Sequence, residues 1–116
     1  MTVKECYEKM GSNYENVLER LGNENIIKKF AIKFLDDASF SNLTIALNEE
    51  NAEEAFRAIH TLKGICLNLG FDKLYEVSAE LTEKLRDCRI ENVDADYEKV
   101  KKYYEITVDA IRGIQL

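Results

Sequence analysis

NAEEAFRAIHTLKGICLNLGFDKLYEVSAELTEKLRDC, residues 51–88, holds two apolar stripes of helical period with one glycine between them. Asn51 is suited to cap the first helix, Glu53 and Glu54 lie in its first turn, and Gly70 ends it. Its inward stripe is Ala52, Ala55, Phe56, Ile59, Leu62, Cys66 and Leu69. Asp72 is the expected cap of the second helix, whose narrow stripe is Leu74, Val77, Leu81 and Leu85. A connection this short makes the two helices antiparallel neighbours.

The same period extends outward in both directions. TVKECYEKMG and SNYENVLERLG each read as a short helix with a polar start and a glycine stop, at Gly11 and Gly22. NENIIKKFAIKFLDD begins at a candidate cap, Asn23, and spaces Ile26, Ile27, Phe30, Phe34 and Leu35 along one face. SFSNLTIALNEEN follows, with Ser39 or Ser41 as cap and Leu43, Ala46 and Leu47 inward. The last helix runs from about Asp94 with Tyr97, Val100, Tyr104, Val108 and Ile111 recurring every three or four residues. No strand-like alternation competes. The expected architecture is all-α: an up-and-down four-helix bundle with additional short N-terminal helices, forming a single domain over residues 1–116.

Composition removes several classes of function. Apolar residues make up 46% and charged residues 33%, with no proline, as in a compact helical protein. A net charge of -6 argues against nucleic acid and anionic membranes as partners, because phosphate backbones require a basic footprint. No run of about 18 apolar residues is present to span a bilayer, and MTVKECYEKMG lacks the apolar block of a secretory signal, so a cytoplasmic location is expected. Cys6, Cys66 and Cys88 are odd in number and widely spaced, fitting neither a disulfide framework nor a metal pair.

His60 is the only histidine, and on a helical wheel it lies about 100° from Ile59, at the edge of the core stripe. Lys63, Gly64 and Leu67 follow it at i+3, i+4 and i+7 and share its face. A glycine inside a helix costs about 1 kcal/mol relative to alanine, so something other than local stability favours it. Two readings are open. Either Gly64 lets a neighbouring helix pack closely, or it leaves the imidazole approachable by another molecule, with Lys63 supplying a cation to an arriving anion. One histidine without a serine or cysteine partner at helical spacing does not make a hydrolytic site.

HTLKG at 60–64 followed by NLG at 68–70 resembles the core motif of the histidine-containing phosphotransfer (HPt) domain family, and DKLYEVSAELTEKLRD resembles that family's next helix. The resemblance is close from about Ala55 to Asp87 and general in the flanking helices. It implies that His60 is a phosphoacceptor, passing a phosphoryl group to and from aspartates of response-regulator or hybrid-kinase receiver domains. It also implies that Lys63 pairs with phosphoryl oxygens and that Gly64 provides clearance. Thr82 stands where some members carry a glutamine that bonds the imidazole; a threonine would reach the ring only through water. Arg86 matches a basic position of some members, and a surface pair with Glu83 is an equally open reading.

No cofactor is implied for this chain itself, the Mg²⁺ that neutralises the transferring group being expected on the receiver. No kinase ATP-binding segment is recognisable, so the expected activity is that of a phosphocarrier and not of a kinase. Leu67 is the first candidate for docking; Tyr14, with Tyr7, either rims the site or belongs to the core. The alternative function is a helical module that docks receiver domains without being phosphorylated.

Overall fold

The computed structural model describes residues 1–114, which form seven helices and no strand. They are α1 (Val3–Lys9), α2 (Tyr14–Leu21), α3 (Glu24–Phe34), α4 (Ser39–Asn48), α5 (Ala52–Leu69), α6 (Asp72–Leu85) and α7 (Asp94–Arg112). Helices α4 to α7 make an up-and-down four-helix bundle, each packed against the next. The circuit closes between α4 and α7, where Phe40 stacks on Tyr97 and Tyr104 and the Thr44 and Tyr97 hydroxyls share a 2.7 Å hydrogen bond. Lys84 of α6 reaches the buried Asp96 carboxylate of α7 at 2.7 Å.

The expected stripes of α5 and α6 enter the core: Ala55, Ile59, Leu62 and Cys66 face Leu74, Leu81 and Leu85, all essentially inaccessible. Asn51 caps α5 by accepting from the Glu54 amide, and Gly70 closes it with a left-handed φ of 72°. Gly70 has a second reason to be glycine, because a Cβ there would collide with the Val17 side chain of α2.

Three local expectations change. Asp72 is the first residue of α6 and not its cap, and the cap position, Phe71, has no side-chain bond. The capping comes instead from the α1–α2 turn: the Asp72 amide donates to Ser12 Oγ at 3.1 Å, and the Asp72 carboxylate accepts from the Asn13 amide. Helix α4 is likewise capped from outside, by Asp37 accepting from the Ser39 amide, and neither Ser39 nor Ser41 caps it. In α3, only Ile27, Ala31 and Phe34 are buried, while Ile26 and Phe30 stay 42% and 43% exposed. A short helix packed on its neighbours has just one stripe covered, and Ile26 and Phe30 lie about 100° and about 60° from Ile27 on the helical wheel, on the same outer side of that stripe.

The amino-terminal helices serve the end of the bundle. The last turn of any helix leaves carbonyls without intrahelical partners. Here Tyr7 donates its hydroxyl to Leu69 O at 2.6 Å, and Arg20 donates to Leu67 O at 3.0 Å. Tyr7 is fully buried and Tyr14 nearly so, its hydroxyl donating to Glu24. The placement of Tyr14 as a docking residue is therefore corrected: it and Tyr7 are core residues that stack edge-on at the far end of α5.

Candidate functional site

His60 sits on the outward side of α5, exposed to solvent, while its neighbours Ile59 and Leu62 anchor the helix in the core. No side-chain hydrogen bond reaches its ring among the described residues. Its contact is with Phe56, one turn earlier, whose ring centre lies 5.8 Å from the imidazole centre at a tilt of 38°. Phe56 is only half-buried, so it belongs to the boundary between core and surface.

Gly64, one turn after His60, has nothing within 4 Å of the position a Cβ would take. The packing explanation for this glycine falls, because no helix of the bundle approaches it. What remains is an open strip of backbone beside the imidazole, continued by Leu67, which is 52% exposed. Lys63 is half-buried and makes no ion pair among the described residues.

The antiparallel pairing of α5 and α6 brings the end of α6 alongside Phe56. The Arg86 guanidinium carbon lies 5.7 Å from the centre of the Phe56 ring, and its Nε and Nη2 donate to both Glu83 oxygens, at 3.0 and 2.8 Å. The Glu83 carboxyl is held below the usual carboxylate range, first by the Arg86 hydrogen bond and further by the charges of Arg86 and Lys63. Both open readings of Arg86 therefore meet in one place: it forms the surface pair with Glu83 and shares an aromatic ring with His60.

Thr82 departs from its expected role. Its side chain is completely buried and its hydroxyl donates to Ser78 O at 2.7 Å, the preceding turn of its own helix. A hydroxyl oriented to its own backbone and closed to solvent cannot carry a water bridge to an exposed imidazole. Thr82 is a core residue.

On the opposite flank of His60, a groove between α4 and α5 is lined by Ser39, Asn42, Ile45, Arg57 and Thr61. Ile45 is 51% exposed, and Arg57 is tied to Glu54 at 2.8 Å and to Glu53 at 3.4 Å. Neither Phe56 nor Ile45 stood out in the sequence as a site residue. Phe56 reads there as one more member of the core stripe, and Ile45 comes beside Arg57 and Thr61 of α5 only through helix packing.

The Hpt domain family matches residues 33–113 of the chain. The chain belongs to the Hpt domain family. The match spans the four bundle helices, so α1, α2 and most of α3 lie outside it and form the cap described above. No curated protein and no solved structure matches this Hpt domain. Among the described residues, no cluster of ligating side chains suited to a metal ion is present, and no helix is long and apolar enough to cross a membrane.

Proposed function

We propose that this Hpt domain is a histidine phosphocarrier, accepting a phosphoryl group at His60 from a receiver-domain aspartate and donating it to another. The observation that carries the reading is the open surface at Gly64 beside an exposed, unbonded imidazole. The neutral form of an imidazole carries a lone pair on one ring nitrogen, which is the nucleophile such a transfer needs. In transfer, that lone pair attacks phosphorus in line, an N–P bond forms, and the P–O bond to the aspartate breaks, returning its carboxylate. The reverse step passes the group on.

Charge on the transferring group is the main barrier, and this chain supplies part of the compensation. Lys63, on the same helix face at i+3, is suited to the phosphoryl oxygens as a point charge, and Arg86 as a planar fork. The Mg²⁺ that such a transfer uses belongs to the receiver in this proposal, and the chain needs no cofactor and no kinase activity of its own. Leu67, on the His60 face of α5, and Ile45, in the neighbouring α4–α5 groove, are exposed apolar residues that a receiver surface would cover.

A second reading, a module that docks receivers without being phosphorylated, draws on the burial of Thr82, which leaves no α6 side chain bonded to the imidazole. One experiment separates the two. A receiver charged with acetyl phosphate is incubated with the chain, which is then tested for acid-labile phosphate. We expect label on the wild type and none on His60→Gln, with both giving the same circular dichroism. Label retained by His60→Gln, or absent from the wild type despite receiver binding, refutes the carrier.

A further inference from the structure

Phe56 and Glu83 have no role in the transfer as described, yet Phe56 lies against the reacting imidazole and Glu83 holds the guanidinium that lies against the same ring. We propose that Phe56 is a positioning residue for His60 and that Glu83 and Arg86 form a clamp opened by phosphorylation, the guanidinium leaving the carboxylate for the phosphoryl oxygens. The proposal rests on the carrier reading, which makes His60 the site of the phosphoryl group.

The imidazole and the guanidinium lie against one phenyl ring, at 5.8 and 5.7 Å from its centre, so Phe56 is a contact that both share. Such a ring attracts a cation electrostatically while leaving it free to slide, because the attraction has no donor–acceptor direction. Glu83 determines where the guanidinium rests before reaction. An exposed i,i+3 pair of this kind is weak, because water screens both charges. A phosphoryl group brings nearly two negative charges and three acceptor oxygens to the same neighbourhood, where the carboxylate offers one charge. Arg86 is thus held in reserve by a partner that the product outcompetes. Lys63, whose charge also acts on Glu83, is drawn the same way. On the other flank, Arg57 is held by two carboxylates, Glu53 and Glu54, and lies against no aromatic ring among the described residues, so it stays where it is.

The test uses the full chain with phosphoramidate, a small donor that labels imidazoles without a docking partner. The Arg86 Nε–H resonance is followed by NMR as His60 becomes labelled, and labelling rates are compared among variants. We expect the resonance to move on phosphorylation; an unmoved resonance overturns the clamp. Glu83→Gln should label about twofold faster than wild type, the scale of the pair released, and this gain should vanish in an Arg86→Gln background. An equal gain in that background means that Glu83 acts only through its own charge, which overturns the clamp. Phe56→Leu should label about two- to fivefold more slowly, the range of an exposed cation–π contact, and Phe56→Tyr should restore the rate. A tyrosine no better than leucine overturns the positioning role. A chain labelled by phosphoramidate but not by a charged receiver keeps the clamp and loses the carrier reading.

Discussion

Gly64 allows stability and transfer to be pushed in opposite directions at one position. The residue lies in the interior of the 18-residue helix α5, and a Cβ added there meets no atom within 4 Å. Gly64→Ala therefore gains the full difference in helix propensity, about 1 kcal/mol, without a steric cost. In a domain of this size that corresponds to a rise in Tm of about 3–6 °C. Gly64→Gln gains somewhat less, since glutamine ranks just below alanine in the same scale, but it extends four more heavy atoms than alanine into the space beside the imidazole. A receiver aspartate must come within contact distance of that ring, and misplacement by about 1 Å costs such reactions on the order of 10²-fold. We expect Gly64→Gln to be more stable than wild type in thermal unfolding and at least ~10-fold slower in phosphoryl transfer from a charged receiver. Gly64→Ala should be the more stable of the two and far less impaired. A destabilised alanine variant would refute the open surface, and a glutamine variant with wild-type transfer would refute the idea that the glycine serves the approach of a partner.

Lys63→Ala should slow transfer from a phosphorylated receiver more than Arg86→Ala, because Lys63 shares the His60 face while Arg86 begins paired with Glu83; the two rates at matched concentration, with circular dichroism as control, decide the order. Gly70→Ala should lose about 2 kcal/mol or more in urea unfolding, since the residue combines a φ of 72° with a Val17 side chain in the space its Cβ would need. Val17→Ala in the same chain should recover part of that loss, and an additive pair would argue against the collision. Burial pushes the Cys6 thiol up to about 11 from an ordinary 9.0. The folded state then binds the proton more tightly than the unfolded chain, so this contribution is whole below pH 9 and is lost as pH rises toward 11; the urea midpoint should fall across that window, and fall less in Cys6→Ala.

Much of the bundle was legible in residues 51–88 because helical period, an Asn cap and a glycine stop are local signals, each acting within a few residues along the chain. The same locality made the HTLKG face readable: His60, Lys63, Gly64 and Leu67 fall on one side of α5 whatever the rest of the chain does. The limits of local reading are equally specific. Ile26 and Phe30 are apolar at helical spacing just as Ile27 and Phe34 are, and only the packing of α3 on its neighbours decides which pair is covered. Tyr7 and Tyr14 are aromatic residues of short helices in either reading, and their burial follows from the unpaired carbonyls at the end of α5 that the amino-terminal helices cap. Thr82 shares its position in the α6 wheel with Ser78, and contact with the core, absent from any sequence pattern, turned its hydroxyl back onto its own helix. Phe56, Glu83 and Arg86 meet beside His60 through the antiparallel register of α5 and α6, a relation between residues about 30 apart in the chain that packing alone establishes. The sequence by itself determined the helices and the face that carries the histidine; the tertiary structure decided which side chains stand beside it, because neighbours on different helices are chosen by how the helices pack and not by how their residues are spaced.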